Sequence, residues 1–168
     1  MTDIAEKLVA ELDKMGVHIY TVESCTGGAL ASAITNIPGA SEVFREGSVV
    51  YGNAAKERLD HRLGREGHVA RLIQSHGVYS HEVAADLAEM GAEMADIGVG
   101  VTGTLSREDP ANPCSDVGIA YIGVAAMGNK AVTRLVYVDA KLSRTKAKRQ
   151  IVEKALGMVL DVLEAQRT

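Results

Sequence analysis

With 168 residues, 46% of them apolar and 24% charged, the chain has the size and make-up of one domain with a proper core. A net charge of −4, and only five Tyr and one Phe as aromatics, exclude the positive field and stacking platforms of a nucleic-acid binder. The apolar runs are too short to span a bilayer, and the acidic start Met1-Thr2-Asp3-Ile4-Ala5-Glu6 lacks the regions of a signal peptide, so a cytoplasmic protein with no membrane partner is expected.

Taken in chain order, Ile4, Leu8, Leu12 and Met15 share one face of a helix predicted over 3–15, ended by Gly16. A short strand follows over 18–23. An Ala- and Ile-rich helix covers 27–36 and stops before Pro38. A second strand is expected over 47–51, then a helix over 53–63 with Asn53 as its N-cap. Residues 64–78 carry a weaker pattern, with a short helix at 69–76. Ser80 caps the next helix, which runs to about Ala95. A third strand covers 96–101, and a polar loop with Pro110 and Pro113 covers 102–116. Strands over 117–127 and 130–138 flank the turn signal Gly128-Asn129. A last helix spans about 143–166. Strands alternating with helices, plus one hairpin, predict a three-layer α/β/α sandwich with a mixed, mostly parallel sheet, as one domain over 1–168.

In such sheets ligands sit beyond the carboxyl ends of parallel strands. Two strand ends stand out: Glu23-Ser24-Cys25-Thr26-Gly27-Gly28 and Val101-Thr102-Gly103-Thr104. Ser24 lies where a strand gives way to a helix, and Gly27 and Gly28 let a ligand approach the backbone. The place suits an oxyanion or a phosphate, and equally a serine that only caps. A nucleophilic serine needs a base, and no SxxK spacing supplies one, because Gly27 occupies that position. Lys56 follows Tyr51-Gly52-Asn53-Ala54-Ala55 just past the second strand. If the first two strands are neighbours, Lys56 and Tyr51 project toward the rim that carries Ser24. A desolvated lysine can act as a base near neutral pH, whereas one beside Glu57 and Arg58 is ordinarily solvated.

Cys25 is a rival nucleophile if a helix N-terminus lowers its pKa, and a structural cysteine if buried. Cys114 has no evident activating partner. Glu23 is read as a buried carboxylate orienting the loop or as a salt-bridged one. The histidines at 18, 61, 68, 76 and 81 form no HxxxH or HxH pair, and the two cysteines form no CxxC, so no metal site is predicted. The basic run from Lys141 to Arg149 reads as a solvated face, from which Arg144 can clamp an anionic group.

The segments Glu23-Ser24-Cys25-Thr26-Gly27-Gly28, Ile37-Pro38-Gly39-Ala40-Ser41 and Tyr51-Gly52-Asn53-Ala54-Ala55-Lys56 together resemble the C-terminal domain of the competence/damage-inducible protein CinA. Gly77-Val78-Tyr79-Ser80-His81-Glu82-Val83-Ala84 and Val101-Thr102-Gly103 fit the same family in the same order. The resemblance implies a nicotinamide-mononucleotide deamidase, which hydrolyses a carboxamide to a carboxylate with release of ammonia. It implies Ser24 as nucleophile, Lys56 as base, and Tyr51 orienting Lys56 or relaying a proton. The backbone of Thr26 to Gly28 would hold the oxyanion. Cys25, Asn53, Thr102, Gly103 and Arg144 would complete the binding site for a small-molecule nucleotide substrate. A homodimer and no metal or organic cofactor are implied as well. The larger family proteins carry an added N-terminal domain with pyrophosphatase chemistry, to which nothing in these residues corresponds.

Three segments depart from the family pattern. Where the family carries a glycine-rich loop after Thr-Gly, this chain has Thr104-Leu105-Ser106-Arg107-Glu108-Asp109-Pro110-Ala111-Asn112-Pro113-Cys114. The connection from Asp60 to Gly67 is longer and more charged. The entry to the last helix is Lys141-Leu142-Ser143-Arg144, of which Arg144 matches. The alternative is therefore a CinA-like nucleotide-binding or regulatory paralogue with weak or no deamidase activity.

Overall fold

The predicted first helix forms as α1 (Thr2–Met15), and Gly16 ends it in a left-handed conformation at φ 66°. The structure is a computed structural model describing residues 1–112, 116–126, 128–139 and 141–167. After α1 come β1 (Ile19–Glu23), α2 (Ala29–Thr35), a 3-10 turn (Ala40–Glu42), β2 (Phe44–Val49), α3 (Asn53–Arg62), α4 (His68–His76) and α5 (His81–Ala92). β3 (Ile97–Thr104), β4 (Ile119–Ala126), β5 (Val132–Tyr137) and α6 (Arg144–Ala165) complete the domain. Ser80 and Ser143 cap α5 and α6, accepting hydrogen bonds from the amides of Val83 and Lys146.

The sheet has the order β2-β1-β3-β4-β5. β1 pairs parallel with β2 and β3, whereas β3–β4 and β4–β5 are antiparallel. Four strands thus share one direction and β4 alone is reversed, so the sheet is mixed, as predicted. Alternate residues feed two cores. Ile19, Val99, Val101, Ile122 and Val124 face α1, α2 and α6. Tyr20 and Val22 face the other layer, where Leu59, Val69, Val83, Leu87 and Met90 come from α3, α4 and α5.

α5 lies directly on the sheet because the strand positions beneath it are glycines. A Cβ on Gly98 would stand 1.9 Å from Ala88 O, one on Gly100 2.4 Å from Ala84 O, and one on Gly123 2.3 Å from Ala84 O. The charged segment after α3 is a structural tie rather than a solvated loop. Arg65 contacts the buried carboxylates of Asp60 on α3, at 3.9 Å, and Asp86 on α5. It also reaches Glu93, at 3.7 Å. Burial raises the Asp86 carboxyl above its usual range, against the pull of the Arg65 charge.

Several predicted boundaries move. The second strand runs from Phe44 to Val49, not over 47–51. It is an edge strand aligned with β1 from Ile19↔Phe44 to Glu23↔Val49, so its polar Arg45 and Glu46 are tolerated facing water. The second helix starts at Ala29, because Gly27 and Gly28 have φ of 60° and 92°. Asn53 is the first residue of α3 and not its cap; extended Gly52 takes the cap position without a side-chain hydrogen bond. α5 ends at Ala92, where the amides of Met94 and Ala95 both turn back to Gly91 O. β3 continues to Thr104, since β4 keeps pairing with it after β1 has ended, up to Thr104↔Ile119. The predicted loop therefore begins at Leu105. Pro113, Cys114 and the expected strand end Met127 lie outside the described residues. Among the described residues, no helix is long and apolar enough to cross a membrane, and no group of three or more His, Cys, Asp or Glu could hold a metal ion.

Candidate active site

The parallel strands end on one rim, and their register decides which residues meet there. Glu23 is level with Val49 on one side and Val101 on the other. Just beyond, the Ser24 amide donates to Val101 O at 2.9 Å, and the Val50 amide donates to Glu23 O at 2.8 Å. Ser24 is thereby held beside the chain that turns from β2 into α3. One turn into α3, Lys56 points back under that rim and is 1% exposed. Its Nζ donates to Ser24 Oγ at 3.2 Å and to Val50 O at 3.0 Å. The Ser24 hydroxyl has Tyr51 O within 3.4 Å to receive its own proton.

Both hydrogen-bond partners of the Lys56 ammonium are neutral. Desolvation brings its pKa down from 10.5 to about 8, against the opposing effect of Cys25 and Asp109. Burial pushes the Cys25 thiol up to about 12, so Cys25 is a neutral thiol near pH 8 and the opposing charge is that of Asp109. The same burial sets Cys25 aside as a nucleophile.

Glu23 has a different task. Its carboxylate is buried and accepts from the amides of Gly28 at 3.1 Å, Leu30 at 3.0 Å and Ala31 at 2.8 Å. It caps α2 from the end of β1 and fixes the turn that presents Ser24. This cap corrects the expected oxyanion donors. The Gly28 amide is committed to Glu23, and the Gly27 amide donates to Ser24 O at 3.0 Å.

A cavity of about 500 Å³ opens in front of Ser24. Ser24, Cys25, Tyr51, Gly103 and Arg144 line it, among the expected site residues. Lys56, which lies behind Ser24, and Thr26, Gly27, Gly28, Asn53 and Thr102 do not. Thr102 is buried, and its hydroxyl donates to Val78 O at 2.9 Å, tying the loop before α5 to the sheet. Tyr51 is 60% exposed, and its phenol accepts from Arg144 Nη2 at 3.1 Å rather than meeting Lys56. Arg144 Nη1 donates to Ser106 Oγ at 3.2 Å. The basic run is solvated as read at Lys141, Arg144, Lys146 and Arg149, which are exposed, whereas Lys148 is half-buried with its Nζ 3.1 Å from where a Gly27 Cβ would stand. Arg144 and Lys148, one turn apart on α6, overhang the serine turn.

The sequence profile of the CinA C-terminal domain matches residues 1–163. The chain belongs to that family. It is 34% identical to a putative competence-damage inducible protein of Caldanaerobacter subterraneus subsp. tengcongensis, covering 98% of this chain and 38% of the relative. It is 38% identical to a CinA-like protein of Anaeromyxobacter sp. (strain K), covering 94% of this chain and 36% of the relative. It thus spans little more than a third of the length of these relatives. The competence/damage inducible protein CihA of Agrobacterium tumefaciens superposes with a TM-score of 0.84 at 25% identity, over 97% of this chain and 94% of that one. A CinA superfamily protein of Escherichia coli shares the fold, with a TM-score of 0.82 at 21% identity over 96% and 89% of the two chains.

In this CinA domain the segment after β3 folds into the cavity wall, an arrangement that the sequence did not disclose. The Thr104 hydroxyl donates to Arg107 O at 3.0 Å. Asp109 Oδ2 accepts from Tyr79 Oη and from Asn112 Nδ2, each at 2.6 Å, and Oδ1 accepts from the Ala111 amide at 3.0 Å. These bonds, that from Tyr79 foremost, hold the Asp109 carboxyl below its usual range. Tyr79 and Asp109 both line the cavity. Neither was a candidate from sequence, and the usable signal was weak: Tyr79 lies between Gly77 and the Ser80 cap, two features that place it at a helix entrance.

Proposed function

We propose that this CinA domain is an amidohydrolase that deamidates nicotinamide mononucleotide or a related pyridine nucleotide amide through an acyl-enzyme on Ser24. One observation carries the reading: a buried lysine, with neutral partners and a pKa lowered to about 8, has its Nζ 3.2 Å from Ser24 Oγ at the mouth of a cavity. Neutral Lys56 takes the hydroxyl proton as Ser24 Oγ attacks the carboxamide carbon. The turn amides of Cys25 and Thr26, rather than those of Gly27 and Gly28, are the proposed donors to the tetrahedral oxyanion. The Lys56 ammonium then protonates the departing nitrogen, and ammonia leaves an ester on Ser24. Water attacks that ester, gives its proton to Lys56, and Lys56 returns it to Ser24 as the carboxylate product forms. Arg144, with Lys148 beside it, is placed to receive the anionic tail of the nucleotide.

The test is ammonia release from nicotinamide mononucleotide. Ser24→Ala should lower kcat by about a thousandfold or more. The wild-type rate should rise with pH, reach half its maximum near pH 8 and level off above it, as Lys56 loses its proton. Full activity in Ser24→Ala would refute the mechanism. The loop at 105–112, where the family carries glycines, favours a second reading, a nucleotide-binding module without turnover. Calorimetric binding with no product would mark it.

A further inference from the structure

The amide mechanism uses Ser24 and Lys56 but gives no task to Asp109. Its carboxylate is set into the wall of the same cavity by three donors, the Tyr79 phenol, the Asn112 amide group and the Ala111 backbone amide, and all three are neutral. Such bonds orient an anion and stabilise it without cancelling its charge. Lys56 attracts it through space, while its Nζ donates to Ser24 Oγ and Val50 O rather than to the carboxylate. The lining also holds Glu108 and two arginines, Arg107 and Arg144, the latter donating to the neutral Ser106 and Tyr51 hydroxyls. At Asp109 the wall therefore presents an oriented carboxylate, with the Tyr79 ring bonded to it, in the same cavity as Ser24. The complement to that surface is a flat group bearing positive charge.

We propose that Asp109, held in place by Tyr79, selects substrates by the charge of their ring, so that the cavity takes a cationic ring amide over a neutral one of the same shape. The inference rests on the reading of this cavity as the amide site. It concerns a segment in which this chain departs from the glycine-rich pattern of its family. Asp109 acts as a specificity residue; the bond-breaking steps at Ser24 do not pass through it.

Nicotinamide mononucleotide and its dihydro form test the idea, since they share amide, ribose and phosphate while only the first carries a positive ring. Calorimetric titration of the wild-type protein should show the cationic form binding about tenfold tighter, the worth of one partly solvated charge pair. Asp109→Asn keeps the shape and the acceptor for Tyr79. It should bring the two affinities within about twofold of each other, by weakening the cationic ligand and leaving the dihydro form unchanged. Equal affinities in the wild type, or the wild-type ratio persisting in Asp109→Asn, would overturn the proposal. Equal loss of both ligands in the variant would overturn it too, by assigning Asp109 to holding the loop. Ammonia release is measured in parallel. Its absence, with the charge preference intact and dependent on Asp109, would remove the amidohydrolase reading and leave charge selection standing.

Discussion

Replacing Lys56 with methionine should make the protein more stable at neutral pH while removing the proposed deamidase activity. Met has nearly the length of lysine and no charge to desolvate. In the native fold the lysine pKa falls from 10.5 to about 8 through burial. At 1.36 kcal/mol for each tenfold change, that difference is a penalty of about 3 kcal/mol on the charged form. At pH 7 the lysine is protonated in both the folded and the unfolded chain, so the wild type bears the whole penalty. Against this, Lys56→Met loses the bonds to Ser24 Oγ and Val50 O, each worth about 1 kcal/mol net. The variant should therefore gain about 1 kcal/mol at pH 7. Between pH 8 and 10.5 the unfolded wild-type chain binds more protons than the folded one, so wild-type stability rises with pH through that window. The variant has no such gain, so by pH 10.5 the gap should have moved by about 3 kcal/mol, leaving the variant about 2 kcal/mol less stable than the wild type. Urea midpoints at pH 7 and near pH 10, at unchanged m-value, measure the difference. A stability gap that does not move with pH would refute the claim that Lys56 is a desolvated, perturbed amine.

Two further predictions concern packing and the site. Gly98→Ala places a Cβ 1.9 Å from Ala88 O and 2.3 Å from Ala92 N, both backbone atoms of α5, so the helix must lift from the sheet. A loss of about 3 kcal/mol is expected in urea denaturation, and an unchanged midpoint would contradict the close helix-on-sheet contact. Tyr51→Phe removes a phenol bonded to Arg144, so KM for the anionic substrate should rise several-fold while kcat changes by less than about threefold. A fall in kcat of roughly a hundredfold would instead restore Tyr51 as a proton relay to Lys56.

What could be read along the chain was what nearest neighbours dictate. The apolar stripe from Ile4 to Met15 and the cap at Ser80 are local signals, and each stands where expected. Errors gathered where pairing with a distant strand overrode local preference. β2 starts at Phe44 because β1 aligns with it there, although Phe-Arg-Glu carries no strand pattern. β3 runs past Val101 to Thr104 because β4 still pairs with it. A buried Glu23 that orients the loop was one of two readings open from the sequence. Choosing between them required three amides of the following turn and helix to converge on one carboxylate.

By itself, the order of residues determined the alternation of strands and helices, the serine at a strand end with glycines behind it, and a lysine just past the next strand. These follow from side-chain periodicity and from the backbone freedom of glycine, which are properties of short segments. Only the tertiary structure decided that Ser24 and Lys56, 32 positions apart, meet at 3.2 Å. That meeting depends on the parallel register of β1 and β2. The lowered Lys56 pKa depends on burial contributed by several elements at once, and the anionic wall at Asp109 on a loop that folds back to Tyr79. Distance and desolvation are sums over the whole fold, and no local pattern contains them.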